Sequence, residues 1–196
     1  MPARIHLIRH GETEWSLAGR HTGRADPDLT ARGEERARGL AARLQGRRFS
    51  RILASPRLRA RRTCELAGLG AGAEIEPELA EWDYGDYEGL RTAEIHQARP
   101  DWDLFRDGGP NGESPEQVSA RADRVIARLR SMAGNVAVFT HGHFGRVLAA
   151  RWVGWPVTAA RRLQFDPVAL GILGFERDDL ASPAIALWND GPGAAT

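Results

Sequence analysis

Lysine is absent: all 27 basic residues of this 196-residue chain are arginine. A P-loop and a lysine Schiff base are thereby excluded. Any clamp on an oxyanion must be built from arginine, histidine or backbone N–H groups. Cysteine is almost absent too. Cys64 stands alone, which rules out an internal disulfide and any CxxC metal or redox motif. No apolar run approaches the roughly 18 residues of a membrane span, so no membrane association is expected. The opening MPARIHLIRHGET meets its charged motif by residue 9, without the apolar stretch of a signal peptide. A cytoplasmic protein is expected on that basis. The net charge of +1 gives no electrostatic reason to bind nucleic acid.

What is present is ordinary for a folded chain: 42% hydrophobic and 27% charged residues, enough for one α/β domain with a proper core. No repeat or low-complexity linker divides residues 1–196, so a single domain is expected, its last few residues forming a flexible tail. Ile5-His6-Leu7-Ile8 reads as a buried strand and Ile52-Leu53-Ala54 as a second. Thr30 caps a helix whose apolar face carries Ala37, Leu40, Ala41 and Leu44. Ser55, followed by Pro56 at the first helical position, reads as the N-cap of an arginine-rich helix. Residues 70–114 read as loop-rich, with Trp82, Trp102 and Phe105 as their bulk. Ser114-Pro115-Glu116-Gln117 is a capping box before a helix with Val118, Ala122, Val125, Ile126 and Leu129 on one face. Val136–Phe139 reads as a strand buried on both faces, with a helix from about His143 and last strands over 168–175 and 184–188.

Such alternation predicts a three-layer α/β/α sandwich with a mostly parallel central sheet. Ligands of such sheets sit beyond the carboxyl ends of the strands. Ile8 leads into Arg9-His10, and Phe139 into Thr140-His141, so both histidines are expected at one sheet edge.

Four clusters carry chemistry: Arg9-His10-Gly11-Glu12-Thr13; Ser55-Pro56-Arg57-Leu58-Arg59-Ala60-Arg61-Arg62-Thr63; Leu79 to Gly89, acidic and aromatic; and Thr140-His141-Gly142-His143. In the second, Arg59 and Arg62 share one helical side, Arg57 and Arg61 another. Alone, each has a bland reading as a structural histidine, a solvated face or a loop. Together they meet the demands of phosphoryl transfer. Guanidiniums and an imidazolium can surround a phosphate dianion, a neutral imidazole can attack it, and a carboxyl can protonate the leaving oxygen. Neither lysine nor a metal is needed, and no cofactor is expected.

The ordered motifs LIRHGETEW, HTGRADPDLTARG, SPRLRARRT, LAEWDYGDYEG, DGGPNGES and FTHGHFGR span nearly the whole chain. In them the sequence resembles the histidine phosphatase superfamily, the phosphoglycerate-mutase-like proteins. Its Trp15-Ser16, where many members have Trp-Asn, resembles the branch of sedoheptulose-bisphosphatases and bacterial acid phosphatases. The resemblance implies a phosphatase acting on a small phosphorylated metabolite, a sugar phosphate or bisphosphate, through a phosphohistidine. It implies His10 as the nucleophile, Arg9, Arg59 and His141 as the phosphate pocket, and Glu81 as the proton donor. It places Thr22, Gly23 and Tyr84 along the substrate site, the Gly142 N–H on an oxygen, and Ser16 as a donor of one hydrogen bond. Glu12, Arg57 and His143 receive no role. A second phosphate would call for a second anion site, with Arg20, Arg24, Arg57 and Arg106 as candidates. A second copy of the chain is left open as a partner.

Three rivals stand beside this reading. A cofactor-dependent phosphoglycerate mutase would use the same residues but return the phosphoryl group to substrate; the mutases it resembles use a lysine near the substrate carboxylate, and this chain has none. A metal hydrolase could use His141-Gly142-His143, yet an HxHxD site would need an acid where Gly145 stands, and a zinc deaminase would need two cysteines. A non-catalytic binding protein would be expected to have lost the nucleophile or the acid.

Overall fold

The apolar runs become the middle of one sheet. In chain order the elements are β1 (Arg4–Arg9), α1 (Glu14–Leu17), α2 (Ala31–Leu44), β2 (Arg51–Ala54), α3 (Leu58–Leu66) and β3 (Ala73–Ile75). There follow α4 (Thr92–Ala98), α5 (Leu104–Asp107), α6 (Pro115–Arg130), β4 (Asn135–Thr140), α7 (Gly142–Trp152), β5 (Leu170–Phe175) and β6 (Pro183–Asp190). The computed structural model describes residues 2–191, so the expected tail at 192–196 lies outside the described part.

The sheet order is β3-β2-β4-β1-β5-β6. Pairing is parallel from β3 through β1 and antiparallel at β1/β5 and β5/β6, a mixed and mostly parallel sheet. Alternation along the strands feeds two cores. Ile5, Leu7, Val136 and Val138 pack with Val118, Ala122, Leu129, Val147 and Leu148, so α6 and α7 cover one face. Ile8, Ala137 and Phe139 pack with Leu40, Leu44 and Cys64, so α2 and α3 cover the other. These are the three layers. Burial pushes the Cys64 thiol up to about 12, so this cysteine acts as packing and not as a nucleophile.

Local signals mostly act as the sequence indicates. Thr30 caps α2 by accepting from the Gly33 N–H, and Ser114 with Gln117 closes the capping box of α6. Three readings need correction. In α2 the buried residues are Gly33, Ala37, Leu40 and Leu44, whereas Ala41 faces solvent; the stripe against the sheet is narrower than the pattern suggests. The arginine-rich helix starts at Leu58 with Arg57 at its cap position, not at Ser55. Tertiary contact overrides the local cap signal, because the Ser55 hydroxyl is drawn to His141. The segment from 70 to 114 holds the edge strand β3 and the short helices α4 and α5. Its tryptophans are buried, and the Trp82 and Trp102 indole N–H groups donate to the Glu113 and Gly108 carbonyls.

Candidate active site

Three adjacent strands deliver the central side chains. Arg9 of β1 pairs in register with Thr140 of β4, and the His10 N–H donates to the Thr140 carbonyl at 2.9 Å. The Ser55 N–H, just past β2, donates to the Phe139 carbonyl at 2.9 Å. His10, His141 and Ser55 therefore leave the carboxyl ends of neighbouring strands together, at the expected edge. The His10 and His141 rings meet edge to face with centroids 5.2 Å apart.

His10 is fixed in one tautomer. Its Nδ1 lies 2.7 Å from the Gly11 carbonyl oxygen, an acceptor only, so Nδ1 carries the proton and Nε2 keeps its lone pair. Burial, then the charges of Arg59 and Arg9, hold His10 well below the usual histidine range, and it is neutral near pH 7. The turn beneath it is tight. Gly11 donates to the Thr63 hydroxyl, and a Cβ at Gly11 would lie 2.9 Å from the Gly33 carbonyl oxygen. Glu12 serves this turn: its carboxylate accepts from the Thr30 hydroxyl at 2.9 Å.

Around His10 the structure gathers donors without acceptors. Among the described residues, five buried side-chain polar atoms have no partner: His6 Nδ1, Arg9 Nε, Arg57 Nε, Arg59 Nε and His141 Nδ1. His6 lies in mid-strand on β1; of the others, His141 meets the His10 ring, the charges of Arg9 and Arg59 act on His10, and that of Arg57 acts on His141. Arg59 is fully buried, its terminal nitrogens donating to the carbonyls of Thr22 and Ala25 at 2.8 and 2.9 Å. Arg9 donates to the Phe165 carbonyl. The loop bearing that carbonyl is clasped from β6: Asn189 Oδ1 accepts from the Asp166 N–H at 2.7 Å, and Asn189 Nδ2 donates to the Asp166 carboxylate at 2.9 Å.

Glu81 caps α7 from a distance. His141 at the cap position offers no side-chain bond, and the Glu81 carboxylate replaces it. Oε1 accepts from the Phe144 and Trp82 N–H groups at 2.7 and 2.9 Å, and Oε2 from the His143 N–H at 3.1 Å. A carboxylate favours the positive end of a helix. The Gly142 Cα hydrogen faces Arg9, since a Cβ there would lie 3.2 Å from its guanidinium carbon.

A cavity of about 200 Å³ opens over His10 and is lined by Arg9, Ser16, Thr22, Glu81, Tyr84 and Gly142 among others. Of the expected site residues, Arg59, His141 and Gly23 do not line it. Arg59 and His141 are fully buried next to His10, and the Gly23 N–H is taken by the Glu88 carboxylate at 2.9 Å. Ser16 lines the cavity, but its hydroxyl donates to the Thr13 carbonyl at 2.9 Å within the α1 cap, not into the cavity. Arg62 does not share the Arg59 environment; it pairs with Glu34 at 2.8 Å. Reading the sequence missed His21, Ser55 and Arg146. His21 packs on Tyr84 with centroids 4.7 Å apart, burial lowers it to about 4, and the Tyr84 hydroxyl meets His143 Nδ1 at 2.6 Å. The HTG motif pointed at His21; nothing local marked Ser55 or Arg146. His143 and His141 are thus turned to different partners, and no group of three or more metal-ligating side chains converges among the described residues.

Known proteins are similar to this chain in sequence and fold. An acid phosphatase of Mycobacterium tuberculosis is 43% identical over 88% of this chain and 87% of its own. The sedoheptulose 1,7-bisphosphatase of Saccharomyces cerevisiae is 36% identical over 77% of this chain and 68% of its own. The solved structure of a Mycobacterium tuberculosis open reading frame superposes with a TM-score of 0.88 at 39% identity, covering 96% of this chain and 98% of that one. Residues 5–191 match the profile of the histidine phosphatase superfamily (branch 1), and the chain belongs to that family.

Proposed function

We propose that this protein hydrolyses a small phosphorylated metabolite through a phosphohistidine on His10. One observation carries the reading: the lone pair of His10 is free, and four buried N–H groups, of Arg9, Arg57, Arg59 and His141, have no partner among the described residues. An unsatisfied buried donor costs about 1–3 kcal/mol, and more when charged. Four such groups approach the roughly 5–15 kcal/mol stability of a whole domain. A phosphoryl group offers the oxygens that would satisfy them.

The phosphoryl group docks against Arg9 and His10 at the cavity wall, with the charge of Arg59 and the N–H of His141 buried next to them. His10 Nε2 attacks phosphorus in line; the P–N bond forms as the P–O bond to the leaving group breaks. Glu81, the one carboxyl among the described residues that line the cavity, is protonated for this step and gives that oxygen its proton. Water then attacks the phosphohistidine, Glu81 takes the water proton, the P–N bond breaks and inorganic phosphate leaves. The buried, cation-flanked setting of His10 keeps it unprotonated for attack. The cavity is smaller than the roughly 300–1,000 Å³ of drug-sized sites, which favours a small metabolite over a protein substrate. The phosphatases named among the relatives, and the absence of lysine, favour hydrolysis over mutase chemistry.

The test is chemical trapping. Brief mixing with a ³²P-labelled phosphomonoester, followed by alkaline quench, is expected to leave an acid-labile, base-stable label on His10. His10→Ala is expected to lose both label and turnover. Label persisting in His10→Ala would overturn the assignment.

A further inference from the structure

The last acid of the 79–89 motif, Glu88, does not line the cavity. Its carboxylate turns instead into the backbone of residues 22–26. Oε1 accepts from the Gly23 and Ala25 N–H groups at 2.9 and 3.0 Å, and Oε2 from the Gly23 N–H at 3.0 Å. Gly23 makes this closure possible, because a Cβ there would lie 2.8 Å from Glu88 Oε2 and 2.7 Å from the Trp82 carbonyl oxygen. The two segments also pair through their main chains. The Gly89 N–H donates to the His21 carbonyl at 2.8 Å, and the His21 N–H to the Leu90 carbonyl at 2.9 Å.

The far side of the same peptides holds Arg59. Its Nη2 donates to the Thr22 carbonyl at 2.8 Å and its Nη1 to the Ala25 carbonyl at 2.9 Å. The Thr22 C=O and the Gly23 N–H belong to one peptide unit. A carboxylate therefore sits at the N–H end of that unit and a guanidinium at its C=O end, with a dipole of about 3.5 D lying between them. Hydrogen bonds in such a chain polarise and strengthen one another. Ala25 makes a second link, meeting Glu88 at its N–H and Arg59 at its C=O.

Arg59 needs this support. It is fully buried, and burial works against its charge. Its carboxylate partner among the described residues, Asp26, stands at 3.3 Å and is 36% exposed, a pair weakened by solvent. The charge of Arg59 acts in turn on His10.

We propose that Glu88 is a positioning residue for Arg59: through the peptide joining Thr22 to Gly23 it fixes the guanidinium beside His10 and so sets the affinity of the site for a phosphoryl oxyanion. This rests on the phosphatase reading and assigns what holds the buried cation of that site. A role confined to folding the 22–26 loop would act alike whatever side chain stands at position 59. A role exerted through Arg59 vanishes once Arg59 is changed.

The experiment is a double-mutant cycle read by calorimetric binding of orthovanadate, with hydrolysis of p-nitrophenyl phosphate followed alongside. Glu88→Gln keeps the shape of the side chain and one acceptor oxygen but removes the charge. It is expected to weaken orthovanadate binding about tenfold and to raise KM in proportion. In an Arg59→Lys background the same change is expected to weaken binding by less than about twofold. Nitrogen NMR of the Arg59 Nε–H gives a readout that does not depend on the double variant, and Glu88→Gln is expected to shift and broaden its signal. Thermal unfolding checks that Glu88→Gln is folded; if it is not, Glu88→Asp, too short to reach both N–H groups, takes its place in both measurements. Equal weakening in the two backgrounds, or an Arg59 signal unmoved by the change at Glu88, would overturn the role of Glu88 alone. If Arg59→Lys binds no orthovanadate, the Arg59 signal decides. A natural sequence that neither binds orthovanadate nor releases phosphate would overturn the phosphatase reading and the role of Glu88 with it.

Discussion

A single hydroxyl proton decides which nitrogen of His141 can meet an oxyanion. Ser55 Oγ accepts from the Arg57 N–H at 3.3 Å and lies 2.7 Å from His141 Nε2. Its own proton has no other acceptor among the described residues, so Ser55 donates to Nε2. His141 then carries its proton on Nδ1, the atom left without a partner. Burial and the charge of Arg59 hold His141 well below the usual range, so this neutral tautomer persists. Two neutral histidines thus meet with opposite polarity, His10 with a free lone pair and His141 with a free N–H. Removing such an orienting partner typically costs about 10–100-fold where it has been measured at metal-bound histidines. Ser55→Ala is expected to lower kcat/KM about tenfold, with Ser55→Thr retaining most of it. Nitrogen NMR of His141 is expected to show loss of the single tautomer in Ser55→Ala; an unchanged spectrum would disprove the orienting role.

At the scale of elements, the loop carrying Glu81 is held by a helix as well as by its own hydrogen bonds. Arg121 of α6 donates to the Glu78 and Ala80 carbonyls at 2.7 and 2.8 Å, and both its other nitrogens engage the Glu113 carboxylate at 2.7 Å. Thr140 adds a bond to the Leu79 carbonyl at 2.9 Å. Arg121→Met removes the guanidinium over Phe144, takes the ion-pair partner from Glu113 and leaves two carbonyls unpaired. A loss of about 3 kcal/mol in denaturant unfolding is expected, together with a fall in kcat from misplacement of Glu81. A variant that unfolds like the natural sequence would show the clamp to be dispensable. The strands, the caps of α2 and α6 and the shared edge of His10 and His141 were legible because each is written in a few neighbouring residues. Ser55-Pro56 misled because its local pattern matches a helix cap, while its real partner lies 86 positions away. Arg146 was invisible for a related reason. On a helix an arginine reads as solvated, and only the approach of Phe105, Ala160 and Arg161 turns it inward.

Across the whole molecule, histidine burial links stability to pH. His6 and His21 are lowered to about 4, and His10, His141 and His143 fall well below their usual range. The folded state keeps these imidazoles neutral, while the unfolded chain binds protons below about pH 6.5. Stability is therefore full above that value and drains away as pH falls towards the folded values. Each histidine contributes a loss on the order of 1 kcal/mol per pH unit. With about 2–4 °C of Tm per kcal/mol at this chain length, calorimetry is expected to show Tm falling by about 10 °C or more between pH 7 and pH 5. A level Tm across that interval would mean that the imidazoles are not held neutral.

The clasp between Asn189 and Asp166 gives the order of synthesis a chemical meaning. His10 is made early, just past β1, yet the carbonyl that seats its neighbour Arg9 comes from residue 165 and is braced from residue 189. A nascent chain lacking β6 would carry His10 and Glu81 without the brace on the loop that seats Arg9. The proposed chemistry thus waits until residue 189 is made, and ribosome-bound intermediates short of it hold a dormant centre.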